Sequence, residues 1–520
     1  MLKRVFVVPD PGRLRLRSAI RSVLGIGAAV TACAAAGHTL PAVITGGLAA
    51  LLALFTVTDP TVRGQVRTTV LLPAVGFPVL ALAAGLHDHP LLRDASFLAV
   101  AAAGVYVRRW GPRGHALGVF GFMTFFVAQF LHTLPGQLVE LYTAVALALL
   151  ASSTVRFGLW CYERRQPPPA APAVLPGSGL GRTTTRQAVQ VAAAGAFALA
   201  AGQLLSQERW YWAVGAAWWI FVNTSSRGET LVRGFRRVFG TVCGIAAGLL
   251  IAVPVQGALA PTAALVGLCV FAIFYTAPVS YSWMMLAVTL MVALLYGLLG
   301  VLDPALLALR LAETGAGALG AVAAVLLVLP VTTHAATHAW VERAVHLVHG
   351  CTAAAGRRLA GDRDADPAPL VAELEAVLGR ARVSLAPLLH PLSPLRARKA
   401  RARQVIALLD DCAYQVRGLA AVAADPQASH DDRLTEAARR VEYAVRAVVP
   451  RVPASTGHHP PRPVAIAPPP PAHMLRDRHR PAAAEAALGH LHGLESLLTE
   501  LAGPLHSPPR APLAASPSAR

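Results

Sequence analysis

Residues 227–255 read RGETLVRGFRRVFGTVCGIAAGLLIAVPV. The first eleven carry five charges, at Arg227, Glu229, Arg233, Arg236 and Arg237, and the eighteen that follow, Val238 to Val255, carry none. As a helix rising ~1.5 Å per residue, the uncharged run spans ~27 Å, close to the ~30 Å apolar thickness of a bilayer. Gly240, Gly244 and Gly248 recur every fourth residue, the small-residue stripe that lets helices approach closely in lipid. Arginines crowd one end of the run and are missing from the other, which marks the cytoplasmic side of a membrane-crossing helix.

The same pattern recurs along the chain in both directions. Apolar runs centre on Ile20–Ala36, Leu40–Thr58, Val70–Leu86, Leu92–Val107, Ala116–Leu131 and Leu138–Val155. After a polar, Pro-rich stretch come Ala188–Leu205, Trp210–Val222, Val238–Val255, Leu259–Tyr275, Ser282–Leu299 and Pro304–Leu329. Several are shorter than ~20 residues and borrow flanking residues to span. Only 14% of the 520 residues are charged, against roughly a quarter in a soluble domain. The expected fold is therefore all-α, a polytopic membrane protein of about 12 transmembrane helices in two blocks of six.

Loop charges test that count. With the N-terminal cluster Lys3, Arg4, Arg13, Arg15, Arg17 and Arg21 in the cytoplasm, the even-numbered turns hold Arg63 and Arg67; Arg108, Arg109 and Arg113; Arg164 and Arg165; and the 227–237 cluster. The odd-numbered turns, such as those at 87–90, 132–136, 254–261 and 300–303, are nearly free of arginine, with Arg93 and Arg209 as exceptions at helix edges, and the cytosolic turn at 277–281 holds no basic residue. The alternation is the positive-inside pattern. It places both termini in the cytoplasm of a cell inner (plasma) membrane and makes a parallel duplication an expectation. The domains expected are a first membrane block at 1–160, a cytosolic Pro-rich linker at 161–187 and a second block at 188–332. A cytosolic helical domain at 333–505, containing a Pro-rich linker at 451–480, precedes a disordered tail at 506–520. Apolar positions such as Leu434, Ala438, Val441, Val445 and Val448 carry the helical period of an amphipathic bundle.

The net charge of +19 would suggest nucleic acid in a soluble protein. Here the arginines flank apolar segments, so the expected contacts are membrane lipids, with no nucleic acid. Lys3 and Lys399 are the only lysines and neither follows a glycine, which excludes a Walker A phosphate loop. No nucleophile–base arrangement points to an enzyme, and no cofactor is expected. His87-Asp88-His89 and His458-His459 lack a nearby third ligand for a metal. The six cysteines form no CxxC and read as small core residues.

The turn from Arg227 into Arg237-Val-Phe-Gly-Thr-Val-Cys-Gly244 resembles the fusaric-acid-resistance family, the FUSC or aromatic acid exporter group. Arg310-Leu-Ala-Glu-Thr-Gly-Ala-Gly-Ala-Leu-Gly320 is similar to that family's closing helix. The motifs cover roughly residues 210–330. Two departures stand out: Glu313 occupies a position where the family pattern leads one to expect Asp, and a short linker follows the first block in place of a domain. The resemblance implies a membrane transporter, a proton-coupled exporter of small organic anions such as aromatic carboxylic acids. An anion channel related to malate channels, or a non-transporting scaffold whose cytosolic domain recruits partners, are the alternatives. The exporter is expected to act as a homo-oligomer or as a pseudosymmetric monomer.

The candidate pathway residues are Arg310, Glu313, Glu140 and Gln129. Arg310 and Glu313 stand three apart on one helical face, and a charge near a span's centre costs about 3 kcal/mol unless partnered. Read as a facing pair, they could grip a carboxylate and exchange a proton, or serve as a structural ion pair. Glu140 opens the last span of the first block and Gln129 lies one span earlier. The basic turn of Arg227, Arg233, Arg236 and Arg237 either gathers anions or only sets topology and contacts lipid phosphate. Trp210, Tyr211, Trp212, Trp218 and Trp219 read mainly as an interfacial aromatic belt.

Reporter fusions check the topology. Those after Asp88, His132, Gln207, Gln256 and Asp303 should report the outside, and those after Arg113, Arg165, Arg237 and His334 the cytoplasm. A C-terminal reporter outside the cell would overturn the even count.

Overall fold

The computed structural model describes residues 13–158, 179–222, 224, 226–330, 333–359, 362, 364–389, 396–424, 432–448 and 480–506. Residues 159–178 of the linker, the Pro-rich segment 449–479 with His458 and His459, and the tail from 507 lie outside the described residues. The described residues form helices and no strand. The chain divides into two compact units, residues 1–333 and 334–520.

The first unit runs α1 (Leu14–Ala35), α2 (Leu40–Thr56), α3 (Val62–Gly85), α4 (Pro90–Tyr106), α5 (Gly111–Phe130) and α6 (Leu138–Gly158). It continues with α7 (Thr183–Leu205), α8 (Tyr211–Phe221), α9 (Arg227–Val255), α10 (Leu259–Thr276), α11 (Tyr281–Leu298) and α12 (Pro304–Leu327). Side chains open several of them: Thr61, Ser226 and Asp303 accept hydrogen bonds from the free N–H groups of Gly64, Glu229 and Ala305 at the starts of α3, α9 and α12.

Among the described residues nine helical stretches are long and apolar enough to cross a membrane. One of them, Pro90–Phe130, holds both α4 and α5. A single 3₁₀ turn at Val107–Trp110 and Gly111 at φ 76° join them, and they pack face to face. Their backbones meet at Gly104 and Gly118, where a Cβ on Gly118 would lie 2.1 Å from the Gly104 carbonyl oxygen.

Two helices are shorter than expected, with 17 residues in α2 and 11 in α8. α8 rises only ~16 Å, about half a bilayer core. The eighth expected span is thus a short helix enclosed by protein. Trp210, Tyr211, Trp218, Ile220 and Phe221 are at most 2% exposed. This corrects the belt expectation: Trp218 stacks on Phe122 at 4.1 Å and donates its indole N–H to the Ala101 carbonyl, so the aromatics form an interior seam.

Helix pairing repeats between the halves. α1 packs on α2 and α6, α2 on α6, and α5 on α3 and α4. In the second half α7 packs on α8 and α12, α8 on α12, and α11 on α9 and α10. The halves join reciprocally, α4 to α7 and α10 to α1, as a twofold relation requires. The turn after the fifth helix of each half also repeats. The N–H groups of Leu131, His132 and Thr133 donate to Val127, Gln129 and Ala128, and those of Leu299, Gly300 and Val301 to Leu295, Gly297 and Tyr296. His132 and Gly300 take the same left-handed conformation there, at φ 51° and 70°.

The second unit contains α13 (Thr333–Leu359), α14 (Ala368–Leu389), α15 (Arg396–Ala423), α16 (Asp432–Val448) and α17 (Arg480–His506). α14 packs on α15, and both α15 and α16 pack on α17. On α16 the buried face is Leu434, Ala437, Val441, Val445 and Val448, with Ala438 at its edge. Exposed ion pairs cross between helices, among them Arg382–Asp410, Arg417–Glu375 and Arg433–Glu485. Such pairs set register more than stability, at about 0–1 kcal/mol each. The five described cysteines are free. Burial pushes Cys351 and Cys412 up to about 12, so these thiols stay protonated at neutral pH.

Gly317 carries the α8–α12 contact, since a Cβ there would sit 2.3 Å from the Ala213 carbonyl oxygen and 2.8 Å from Ala216 Cβ. Gly317→Leu should sharply lower the yield of folded protein. Gly315→Ala, with nothing within 4 Å of the added carbon, should leave yield unchanged by size-exclusion profile in detergent.

Candidate functional site

Arg310 and Glu313 lie on the second and third turns of α12, 5% and 0% exposed. They share a face, as the spacing requires, but no ion pair joins them within 4 Å. The guanidinium of Arg310 instead lies flat on the Trp212 indole, 3.4 Å from the ring centroid. That contact is a cation–π interaction, strongest where water is excluded. Among the described residues no carboxylate lies within 4 Å of Arg310. Its Nη1 and both carboxyl oxygens of Glu313 are buried without a hydrogen-bond partner. Buried groups of this kind are rare unless function keeps them open.

The surroundings are aromatic. Trp212 stands 4.7 Å from Phe126 and 5.8 Å from Phe130, both on α5 of the first half. Tyr296 of α11 stands 5.6 Å from Phe130 and 6.4 Å from Trp212. Arg209, just before α8, sits over the Tyr296 ring at 5.7 Å. Trp212, on the first turn of α8, meets Arg310 on the second turn of α12. Periodicity within any one helix carries no trace of this cage, because its walls come from α5, α8, α11 and α12. The cluster Trp210-Tyr211-Trp212 was its one visible signal.

Gln129 is buried on α5 beside Phe130. Glu140 is engaged elsewhere: its Oε1 accepts the Thr39 N–H at 2.6 Å and lies 3.9 Å from His38 Nδ1, at the start of α2. A carboxylate there complements the helix's free N–H groups, and its side chain is a third exposed.

The arginine turn splits in two. Arg227 and Arg236 are exposed, whereas Arg237 is buried and Arg233 half-buried. Both inward arginines meet one tyrosine. Arg237 Nη1 donates to the Tyr281 hydroxyl at 3.3 Å, and the Arg233 guanidinium stands 4.0 Å over the Tyr281 ring. The Nε atoms of both are buried without a partner, and no described carboxylate lies within 4 Å of either. The buried carboxylate of Glu229, one turn before Arg233 on α9, offsets part of this charge, and the two inward arginines leave the cluster net positive.

Each short second helix also ends on an arginine. Arg156 donates to the Val57 and Ala53 carbonyls at the end of α2, and Arg108 to the Phe221 carbonyl at the end of α8. Gln187 donates to Thr224 just beyond.

An all-helical chain with many membrane-length apolar helices and charged side chains enclosed among them is a multi-pass membrane protein. Residues 196–326 match the family model described as fusaric acid resistance protein-like, the family that the arginine turn and the closing helix resemble. The match contains α8, Arg233, Arg237, Arg310 and Glu313. No curated protein and no solved structure matches the chain.

Removing the Tyr281 hydroxyl takes a hydrogen bond from a buried cation, worth about 1.5–3 kcal/mol. Tyr281→Phe should therefore lower the thermal unfolding temperature in detergent, while Arg236→Gln on the exposed face should not.

Proposed function

We propose that this protein is a secondary exporter of small organic anions, aromatic carboxylic acids among them, driven by the proton gradient of the inner membrane. The observation that carries the reading is Arg310 flat on Trp212 inside an aromatic cage, with a free guanidinium nitrogen and no carboxylate within 4 Å. An aromatic acid matches both features, its carboxylate on the guanidinium and its ring against Trp212, Phe130 or Tyr296. Glu313, one turn away and without a hydrogen-bond partner, is the group that takes up or releases a proton as the anion moves. The Arg233–Arg237 pair is a second anion station along α9.

The architecture supports transport over scaffold. Short helices in corresponding positions of two repeats, with polar groups gathered at their ends, are the arrangement transporters use around a substrate site. In this reading the chain crosses the membrane twelve times, in two parallel blocks with both termini cytoplasmic. α8 completes its crossing through the link that carries Arg209 and Trp210.

Efflux of a panel of aromatic and aliphatic acids, with and without a pH gradient, tests the proposal. Arg310→Ala and Arg310→Lys should each cut efflux at least tenfold at near-normal protein levels, because lysine lacks the flat fork that both stacks on indole and grips a carboxylate. Glu313→Gln should abolish dependence on the pH gradient. Trp212→Leu should slow aromatic acids more than aliphatic ones. Wild-type currents indifferent to the pH gradient would favour a channel. Unaltered, proton-coupled efflux in both Arg310→Ala and Glu313→Gln would remove these residues from the mechanism.

A further inference from the structure

The second unit holds a half-open cavity of about 440 Å³ lined by α13, α15, α16 and α17. Its floor is apolar, built from Leu359, Leu419, Leu434 and Leu491, all at most 8% exposed. Its mouth carries Arg357, Arg439, His349 and Glu442. Well-packed interiors keep few voids larger than a water molecule, and 300–1,000 Å³ with an apolar floor and a few converging polar groups is the size and make-up of a small-molecule site. From α16 the lining takes Leu434, Thr435 and Ala438, and from α13 the small residues Ala353 and Gly356, which fill little of the space.

The charges at the mouth select the ligand. Glu442 is already neutralised by Arg446, which lies outside the cavity lining. Among the described residues Arg439 and Arg357 pair only with exposed acids, Glu436 at 2.7 Å and Asp362 at 3.8 Å. Exposed pairs of this kind are worth little and exchange readily for a better anion. We infer that this cavity binds an amphipathic carboxylate of about two fused rings in size, its apolar body on the leucine floor and its carboxylate between Arg357 and Arg439. The site is separate from Arg310, so it provides a means for the second unit to sense an organic acid whatever the membrane unit carries.

The test uses the full-length protein carrying Arg310→Ala, which silences the membrane site, in detergent with 6-fluoro-2-naphthoate, followed by ¹⁹F line broadening. This protein should bind saturably, and the corresponding naphthylmethylamine should not compete. Adding Ala438→Trp, which fills the cavity, or the exposed-rim pair Arg357→Glu/Arg439→Glu should each weaken binding at least tenfold with an unchanged circular dichroism melt. Should the Ala438→Trp protein unfold, the rim variant decides, since both its residues are exposed. Absence of saturable binding in the Arg310→Ala protein, or binding unchanged by the rim charge reversal, would each overturn the proposal and leave the transport reading standing.

Discussion

A backbone carbonyl enclosed in apolar surroundings must find a donor, and in this molecule that requirement bears hardest on the two short helices. A full-length membrane helix ends in water or head groups, where its last four carbonyls are solvated. α2 and α8 end earlier, within protein. Arg156 reaches the last carbonyls of α2, and Arg108 that of α8. A guanidinium supplies several donors and a positive charge against the negative end of the helix dipole, so one side chain answers both needs. These contacts permit a helix of 11 residues to be stable in place, with Trp212 at its start against Arg310.

The repeated helix pairing follows from the same economy of contact. Lipid offers no hydrophobic drive for helices to associate, so close backbone approach must supply dispersion contacts instead. The approach points are small residues: Gly104 against Gly118, Gly317 against Ala213, and Gly240 and Gly244 of α9 against Ser282 and Thr289 of α11. The reciprocal joints, α4 on α7 and α10 on α1, then close the two halves on each other. One departure from the repeat falls at the aromatic cluster around Arg310. α2 packs on α5 in the first half, while the shortened α8 leaves room between itself and α11 for the rings of Trp212 and Tyr296.

The two charge clusters of the second half differ in how they are tolerated. Arg310 has its cost offset by the face of an indole, and Arg237 by the hydroxyl of Tyr281. Neither uses a carboxylate. A salt bridge would leave a neutral, self-satisfied core, whereas aromatic and hydroxyl partners keep a cation attractive to a mobile anion. Glu313, on the same face, is left without hydrogen bonds.

The membrane-crossing character, the approximate positions of the helices and the break near residue 333 were legible in the sequence. Apolar length, arginine placement and helical period are local properties that lipid and water impose directly on the chain. The glycine stripe of α9 and the burial of Arg310 and Glu313 could be read for the same reason. What the tertiary structure alone decided is which side chains meet. Arg310 and Glu313 stand three residues apart, yet Arg310 turns to a tryptophan a hundred positions away. The tryptophans that resembled an interfacial belt became an interior wall because α8 is too short to carry them to the interface. Glu140 went to the start of α2, where free N–H groups attract a carboxylate more strongly than a distant cage does. Sequence spacing determines which residues share a face; only packing determines what that face is pressed against.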